Sequence, residues 1–342
     1  MTKTAVVILN WNGISWLRKF LGTVVKYSSG PGISIIVADN GSGDGSADWI
    51  SENYCEVKVI RLEENHGFAG GYDLALSRIK AEYFVLLNSD VEVTGGWLGP
   101  LIRFMDLNRD VASCQPKIRS FNRKEYFEYG GAAGGYIDKF GYTFCRGRIF
   151  EVVEKDEGQY DSQADIFWST GACMVVRSEA WKKCSGFDPD FFAHMEEIDL
   201  CWRFHKAGYR VCCVPESIVY HVGGGALPYD SEFKTYLNFR NSLFLLYKNL
   251  PDNKLQPTIF IRRILDGLAA LRFVFKGRFV NVRAIMKAHR DFRKSLPDLI
   301  EKRKAIQSLS VPFATDHLMN KSLVFEFYVR RIKAFRSLST VN

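Results

Sequence analysis

Three small polar residues end an apolar run near the middle of this chain, and they are of types that hold cations. The run from Ala81 to Leu87 stops at Asn88, Ser89 and Asp90. Such a run indicates a strand buried on both faces, and ligands of open α/β sheets bind beyond the carboxyl ends of such strands. Asn88 and Asp90 share a side at the two-residue period of a strand and offer the oxygen ligands that Mg²⁺ or Mn²⁺ prefers. A loop that caps the next helix uses the same residue types.

A second acidic group, Glu196, Glu197 and Asp199, opens a pattern that predicts a helix from Glu197 onward. A carboxylate within reach of a hydroxyl acts as a general base. Acids in a first helical turn also interact favourably with the helix dipole, by about 0.3–1 kcal/mol each. Both readings of the acids stay open at this point.

Four apolar runs, at 4–9, 33–38, 57–62 and 81–87, alternate with helical patterns. This β-α-β-α-β-α-β order predicts right-handed crossovers and one parallel sheet. Polar residues follow each run and should meet at one edge of the sheet. An acid after the second run could accept hydrogen bonds from a ribose or base, although the same residue types make simple turns. Ser46 is the predicted N-cap of the helix after that run.

Glycines at 67, 70 and 71 could let the backbone approach a phosphate. However, they follow the third strand, and their spacing is not that of the dinucleotide-binding loop. A dinucleotide site of the Rossmann type is therefore disfavoured.

The second half of the sequence predicts a helix at 96–108 and strands at 111–118, 165–177 and 210–220, the last ending in His221. Residues 120–163 are rich in Gly, Tyr and Phe without a helical period. They predict a hairpin-rich insertion that could act as a mobile flap and carry specificity.

The composition fits a globular protein with an anionic partner. Apolar residues make up 47% of the chain, and the formal net charge is +8. The eight cysteines are scattered without a CxxC pair, which indicates buried thiols in a reducing compartment. We see neither a signal peptide nor an apolar run of about 18 residues, and therefore expect a cytoplasmic protein without a transmembrane helix.

From residue 251 onward the sequence becomes basic and helical, with a break predicted between Pro251 and Pro257. A basic amphipathic helix can lie on an anionic membrane surface. A helical bundle with a solvated basic face is the alternative. Nucleic-acid binding is disfavoured because no recognised module accompanies the charge.

Six motifs, in this order, resemble glycosyltransferase family 2 and especially its rhamnosyltransferase-like branch, over about residues 3–250. They are Val7-Ile8-Leu9-Asn10-Trp11-Asn12, Asp39-Asn40-Gly41-Ser42, Asn65-x-Gly67-Phe68-Ala69-Gly70-Gly71, Leu86-Leu87-Asn88-Ser89-Asp90, Ser169-x-Gly171-Ala172-Cys173-Met174 and Phe191-Phe192-x-x-x-Glu196-Glu197-x-Asp199-Leu200.

The resemblance implies a GT-A fold, an α/β architecture with a Rossmann-like, mostly parallel central sheet flanked by helices. It implies a catalytic domain at 1–250, with a nucleotide-binding half at about 1–118 and an acceptor half at about 119–250, followed by a basic helical region at 251–342. The implied enzyme is an inverting transferase that uses a divalent cation, Mn²⁺ or Mg²⁺, and a nucleotide sugar such as dTDP-rhamnose. Its acceptor is a saccharide or lipid-linked hydroxyl in bacterial surface polysaccharide synthesis. Such an acceptor favours peripheral contact with an anionic membrane, at the inner face of the cell membrane.

Carried over by motif, the resemblance makes Glu197 the catalytic base, with Glu196 and Asp199 as the next candidates. Asp90 and His221 are the metal ligands. The acceptor-side residues are Trp168, Gly171 and Ala172. The nucleotide-sugar-binding residues are Asn10, Asn12, Asp39, Asn40, Ser42, Asn65, Gly67, Gly70, Asn88, Ser89 and Arg240.

Two positions depart from the family pattern. Asn88 stands where many relatives have Asp, which weakens the expected dependence on a metal, although an amide oxygen still coordinates Mg²⁺ or Mn²⁺. Glu197 stands where Asp is commoner. A sugar-nucleotide or polysaccharide-binding protein with impaired catalysis therefore remains an alternative, as does a nucleotidyltransferase.

Overall fold

The first four predicted strands are present and pair in parallel in the order β4-β1-β2-β3. The structure is a computed structural model that describes residues 2–223, 231–309 and 318–338. The elements of this first half are β1 (Thr4–Asn10), α1 (Ile14–Ser28), β2 (Ile33–Asn40), α2 (Ser46–Asn53), β3 (Val57–Leu62), α3 (Gly67–Ser77) and β4 (Tyr83–Asn88).

The register of these strands brings their polar ends together, as the sequence predicts. Asn10 lies opposite Asp39 across β1 and β2. Leu9 lies opposite Asn88 across β1 and β4. A parallel register without a shift places all three polar side chains at one edge of the sheet.

The predicted insertion is a packed second sheet and not a loose flap. Phe127, Phe144 and Ile149 are at most 1% exposed, so the segment contributes to the main core. Burying these side chains stabilises the packing of the segment on the main core. The antiparallel strand pairs within it confirm the predicted hairpins, whereas a segment packed in this way is not a loose flap. The elements from here are β5 (Val91–Val93), α4 (Leu98–Leu107), β6 (Val111–Ser120), β7 (Gly135–Asp138), β8 (Thr143–Cys145), β9 (Arg148–Ile149) and β10 (Val152–Val153).

The single strand predicted at 165–177 is two strands. Ala164–Asp165 is β11, and Cys173–Arg177 is β12. Between them Phe167 N donates to Gly135 O, and Gly135 N donates to the oxygen of residue 168. These hydrogen bonds tie the backbone between β11 and β12 to Gly135 of β7. The predicted single strand is therefore interrupted there.

The completed large sheet is mixed. Its order is β11-β13-β6-β12-β4-β1-β2-β3, and β5 pairs with β13. The parallel prediction is correct for the first four strands, whereas β12 runs antiparallel to β4 and β6. The remaining elements of this half are α5 (Ser178–Lys183), a 3₁₀ turn (Pro189–Phe191), α6 (Glu196–Lys206) and β13 (Arg210–His221).

Alternate residues of the central strands fill two cores, one on each face of the sheet. Val6 packs with Leu17 of α1 and Leu101 of α4. Val7 packs on the other face with Tyr72 of α3 and Phe204 of α6. The alternation explains why these strands read as continuous apolar runs in the sequence.

Five further α-helices follow in the described part of the chain, and the break predicted between Pro251 and Pro257 lies at Pro251, which caps α8 (Asp252–Phe275), and not at Pro257. Pro257 lies inside α8, near its beginning, where a proline removes only one early hydrogen bond. Residues 310–317 and 339–342 of the predicted C-terminal region lie outside the described residues. The elements are α7 (Glu232–Asn249), α8 (Asp252–Phe275), α9 (Phe279–Lys294), α10 (Leu296–Gln307), β14 (Leu318–Met319), which pairs with β7, and α11 (Leu323–Tyr328).

Two predictions from composition can be compared with the structure. All eight cysteines are free thiols, and only Cys55 is exposed, which confirms the prediction of buried cysteines. Among the described helices, none is both long and apolar enough to cross a membrane.

Candidate functional site

A buried hydrogen-bond network joins the ends of β1 and β2. Asn10 Nδ2 donates to Asp39 Oδ1 at 3.2 Å and to Ser46 Oγ at 2.8 Å. Asp39 Oδ2 accepts from Ser42 N at 3.2 Å. Ser46 is the first residue of α2 and follows the N-cap Gly45, so the predicted cap is one residue off. The network fixes the direction of Asp39 at the sheet edge.

The loops beside this network are tied to one another. Asn12 lies in the exposed loop after β1, where its N donates to Ser42 Oγ at 2.9 Å and its Oδ1 accepts from Gly43 N at 2.9 Å. Ser89 follows β4 and lies beside Gly13, where an added Cβ would come within 3.5 Å of Ser89 Oγ. The predicted nucleotide-side residues of β1, β2 and β4 therefore occupy one region.

Asn40 and Asn65 hold the chain in place at the end of β3. Asn40 Nδ2 donates to Asn65 Oδ1 at 3.0 Å and to Gly67 O at 2.9 Å. Asn40 Oδ1 accepts from His66 N, so both donors and the acceptor of this buried amide are engaged. Direct binding of a nucleotide by Asn40 and Asn65 stays a prediction, while their role in supporting the loop is visible.

The glycines at the start of α3 allow close approach to the protein itself. Gly67 has φ +72°, and a Cβ there would lie 2.6 Å from Phe192. Gly70 is also buried. Phe68 N and Ala69 N donate to Phe192 O at 2.6 and 3.1 Å, so these helix-start amides are already satisfied by the protein. The glycines thus seat α3 against the turn that precedes α6.

Asp90 and His221, which are 131 residues apart, meet beside Glu128. His221 Nε2 lies 3.1 Å from Asp90 Oδ1, and His221 Nδ1 lies 3.3 Å from Glu128 Oε2. All three are at least 92% buried. Burial lowers the pKa of His221, but Glu128 and Asp90 outweigh it and raise that pKa to about 10. Burial acts to raise the pKa of Asp90, and His221 holds it below its ordinary value.

The residues at this position fit a divalent cation. Two buried carboxylates require a positive charge between them, which a proton on His221 supplies here. Asp90 and His221 bring an oxygen and a nitrogen within 3.1 Å of each other, and both are donor types that divalent cations accept. No group of three or more His, Cys, Asp and Glu side chains placed to hold a metal occurs in the described ranges. Mg²⁺ sites commonly use one or two protein ligands and complete the shell with substrate phosphates and water.

The turn before α6 has strained backbone. Phe192, His194 and Met195 have φ of +63°, +69° and +74°, a region that residues other than glycine rarely adopt. Three left-handed residues within four positions need outside support, and such strain concentrates at functional sites. We refer to residues 191–195 as the pre-α6 turn.

Helix α7 supplies that support. Asn241 Nδ2 contacts the carbonyl oxygens of Phe191, Ala193 and His194 at 2.9, 2.9 and 2.7 Å. Arg240 Nη2 donates to Phe191 O at 3.0 Å and also to Asp190 O at 2.8 Å. Arg240 therefore holds the pre-α6 turn, and its binding of the nucleotide sugar remains a prediction.

Glu196 and Glu197 follow this turn as the first residues of α6. Within the described residues, Oε2 of each is buried without a hydrogen-bond partner. Burial raises the pKa of Glu197 to about 7, against backbone hydrogen bonds from its own amide and from Gly171. Burial and the neighbouring Glu197 raise the pKa of Glu196 well above its ordinary value. Unpartnered carboxylate oxygens beside a strained turn mark the acidic pair as a candidate proton acceptor.

Asp199 is not available for catalysis, and its place among the candidate bases is wrong. It is fully buried. Its Oδ2 accepts from Arg203 at 2.9 Å and from Lys248 at 2.9 Å, and its Oδ1 accepts from Asn249 at 2.8 Å. These partners occupy the carboxylate and fix α6 to α7.

The three predicted acceptor-side residues lie in different environments. Trp168 is 3% exposed, and its Nε1 donates to Tyr136 O at 2.9 Å, so it is a core residue and its prediction as an acceptor contact is wrong. Gly171 borders Glu197, as its backbone hydrogen bond indicates. Ala172 O accepts from Asn88 N at 2.9 Å. Gly171 and Ala172 thus lie between the acidic pair and the end of β4.

Sequence reasoning missed three contributors to this site. Glu128 lies in the insertion, where no periodic pattern singled it out. His194 has a positive φ, and its burial together with Lys234 lowers its pKa to about 4. Both properties depend on the tertiary structure. Lys248 donates to Asp188 and Asp199, but in the sequence nothing distinguishes it from the other lysines and arginines.

A family model described as Glycosyl transferase family 2 matches residues 5–182, just over half of the chain. The chain belongs to glycosyl transferase family 2. The protein is therefore a glycosyltransferase, as its motifs predicted. The family assignment covers β1 to α5, which include the ends of β1, β2 and β4.

Two curated relatives of this glycosyltransferase are rhamnosyltransferases. One is the N-acetylglucosaminyl-diphospho-decaprenol L-rhamnosyltransferase of Mycobacterium tuberculosis, 25% identical over 243 residues, with 63% of this chain and 75% of the relative covered. The other is rhamnosyltransferase WbbL of Escherichia coli K12, 26% identical over 157 residues, with 44% of this chain and 58% of the relative covered.

Among solved structures, this glycosyltransferase resembles GalNAc-T7, crystallised with UDP, GalNAc and Mn²⁺. The TM-score is 0.57 at 19% identity, with 72% of this chain and 48% of that chain covered. At this identity the likeness shows the fold, and it confirms the predicted GT-A class.

Proposed function

We propose that this protein is an inverting rhamnosyltransferase, which moves a sugar from dTDP-rhamnose or a related nucleotide sugar to a hydroxyl of a saccharide. The observation that carries the proposal is the pair Glu196 and Glu197, whose buried oxygens lack partners at the edge of the sheet. Displacement with inversion needs one base opposite the leaving group, and a carboxylate with a pKa near 7 suits that task.

Glu197 accepts the proton of the acceptor hydroxyl as that oxygen attacks the anomeric carbon. The bond from this carbon to the diphosphate breaks from the opposite face. Glu196 lies next to Glu197, and burial together with the Glu197 carboxylate raises the pKa of Glu196 above its ordinary value. Asn10, Asp39 and Ser42 border the nucleotide, with Asp39 directed by its network.

Asp90 and His221 would hold the divalent cation, with Asn88 as a further oxygen ligand. When bound, the cation neutralises charge on the leaving diphosphate. Glu128 orients His221 from its other side, at 3.3 Å. The co-crystallised Mn²⁺ of GalNAc-T7 supports a cation requirement for this fold.

The printed name of the mycobacterial relative describes transfer to a saccharide on a polyprenyl diphosphate. We extend this to the present chain and propose a lipid-linked acceptor for surface polysaccharide synthesis. An acceptor of this kind resides in a membrane, and we therefore propose that the enzyme acts at the inner face of the cell membrane.

Thermal unfolding with a panel of nucleotides and nucleotide sugars, each with and without Mn²⁺, tests the donor site. A ligand at about 100 times its Kd adds about 2.7 kcal/mol of stability. We expect a Mn²⁺-dependent shift with dTDP-rhamnose that Asp90→Ala abolishes. Asp48→Ala, at an exposed acid on α2, is the matched control and should keep the shift.

The same samples, given a polyprenyl-diphosphate-linked GlcNAc acceptor, report transfer by mass spectrometry. Binding without transfer under all metal conditions would favour the alternative of a sugar-nucleotide-binding protein. Release of diphosphate from a nucleoside triphosphate and a sugar phosphate would favour a nucleotidyltransferase. An absence of any shift would contradict the donor site.

A further inference from the structure

Helix α8 carries an apolar stripe that faces away from the protein. Phe260, Ile264, Leu268, Leu271 and Phe275 are 66%, 51%, 56%, 53% and 88% exposed. Their spacing of three or four residues places them on one side of a helix with 3.6 residues per turn. We call these five residues the α8 stripe.

The opposite side of α8 anchors the helix. Leu255, Thr258, Arg262 and Asp266 are its buried residues. Arg262 Nε donates to Asp266 Oδ1 at 2.8 Å, and Arg262 Nη1 donates to Phe140 O at 3.0 Å. The α8 stripe therefore belongs to a helix that is fixed on its inner side and presents large apolar side chains to the outside.

The apolar surface is concentrated around this helix. Half of the large hydrophobic side chains exposed in the described parts of the chain lie between residues 260 and 286. The surface continues onto α11, where Tyr328 is 47% exposed and accepts from Arg272. A contiguous exposed patch of this kind marks an interaction surface, whereas single exposed apolar residues do not.

The charge around the stripe has one sign. Between residues 258 and 287 the sequence has seven Lys and Arg and one acid, Asp266. That acid is fully buried and paired with Arg262 and His289. The exposed cations of this segment are Arg263, Arg272, Lys276, Arg278, Arg283 and Lys287.

We propose that the α8 stripe and its cations dock on an anionic phospholipid bilayer. An interface helix inserts its apolar side chains below the head groups and attracts anionic lipids with its basic flanks, at about 1 kcal/mol per cation. A second copy of this chain would instead place like charges face to face in a symmetric dimer. The docking itself does not depend on the proposed function. Its purpose, access to a lipid-linked acceptor, rests on that function.

Vesicle flotation of the full chain, without nucleotide or acceptor, tests this surface. The vesicles contain phosphatidylcholine alone or with about one third phosphatidylglycerol, a fraction typical of strongly anionic membranes. We expect binding to the anionic vesicles only, weakened by salt. Lys276→Ala with Arg283→Ala should weaken binding about 25-fold, about fivefold for each cation. Leu268→Glu with Leu271→Glu should abolish it.

The matched controls are Leu107→Glu, a 77% exposed leucine of α4, and Lys80→Ala, an exposed cation after α3. Both should bind like the unmodified chain, and circular dichroism confirms that each variant is folded. Equal binding to neutral vesicles, or equal loss in Leu107→Glu, would overturn the proposal. A dimer that the stripe variant dissociates, without vesicle binding, would assign the surface to a second copy. Transfer to a water-soluble acceptor is measured separately, so a failure to bind vesicles would not contradict the proposed transfer reaction.

Discussion

Glu196 and Glu197 at the start of α6 have different partners from Asp199, the third acid of the same helical turn. Asp199 is neutralised by Arg203 and Lys248, whereas Glu196 and Glu197 each keep an oxygen without a partner in the described structure. A buried carboxylate held by two cations is a poor proton acceptor. We therefore propose one of the two glutamates as the catalytic base, and the hydrogen bond to Gly171 directs Glu197 toward the end of β4.

Glu197→Gln should lower kcat about 10²–10⁴-fold, the usual contribution of a positioned general base. The amide keeps the size of the side chain but cannot accept the proton. Binding of the nucleotide, measured by thermal shift, should be nearly unchanged. Glu179→Gln, at an exposed glutamate of α5, is the control. Near-normal turnover of Glu197→Gln would move the role to Glu196.

The pH dependence follows from the raised pKa of Glu197. Only the ionised form acts as a base, so kcat/KM should rise with pH along a limb centred near 7. The unfolded carboxyl titrates near 4.3, so the folded state holds the proton more tightly. Its contribution to the free energy of unfolding is full below about pH 4 and is lost as pH rises through 7.

Rate and stability profiles between pH 5.5 and 8.5 check both parts. In Glu197→Gln the limb near 7 should be absent, and Tm at pH 8 should be on the order of 2–5 °C higher than in the unmodified chain. A limb that persists in the variant would show that another group titrates.

At the scale of elements, the pre-α6 turn depends on its neighbours for its shape. Left-handed φ values at Phe192, His194 and Met195 are unfavourable for the isolated segment. Asn241 of α7 binds three of its carbonyl oxygens, and Phe192 O accepts from the first amides of α3. Helices α3 and α7 therefore position the acidic pair.

Asn241→Ala should lower the free energy of unfolding by about 1–3 kcal/mol, because it leaves buried carbonyl groups without a donor. It should also lower kcat by at least about tenfold, since small displacements of a catalytic group are costly. Asn238→Ala, on the same helix and half-buried, is the matched control. Urea unfolding and steady-state kinetics measure the two effects. Equal free energies of unfolding and equal kcat in the two variants would show that the turn keeps its conformation without Asn241.

At the scale of the whole molecule, the C-terminal helices are packed onto the part that holds the site. Phe244 and Tyr247 of α7 contact the Phe292 ring of α9, with ring centroids 6.3 and 5.9 Å apart. Lys302 of α10 donates to Asp188 at 2.5 Å and to Asp190 at 2.6 Å, just before the pre-α6 turn. We therefore expect one cooperative unit, although the boundary at residue 250 remains a prediction.

Phe292→Ala should lower the free energy of unfolding by about 3–5 kcal/mol, the usual cost of removing a buried aromatic side chain. Transferase activity and helical signal should be lost in the same thermal transition. Met286→Ala, at a 67% exposed residue of the same helix, should have no effect. If activity survived the loss of the C-terminal helices, the region from 251 onward would be an independent domain.

The sequence by itself determined the first half of the fold and the identity of the acidic motifs. Apolar runs that end in Asn88 and Asp90, or in Asn10 and Asp39, specify buried parallel strands and their polar edge, because both signals are local and periodic. The same local signals could not separate Glu197 from Asp199, since carboxylates of one helical turn look alike without their partners.

Tertiary structure decided the rest, because distant residues set the environment of each group. Lys248 removes Asp199 from the candidate bases, and Glu128 joins His221 from an insertion without a readable pattern. Trp168 is predicted from the sequence as an acceptor-side residue, but it is buried and donates to Tyr136 O. Burial and charge partners are fixed only when the chain is folded, and they determine which of the predicted residues can perform chemistry.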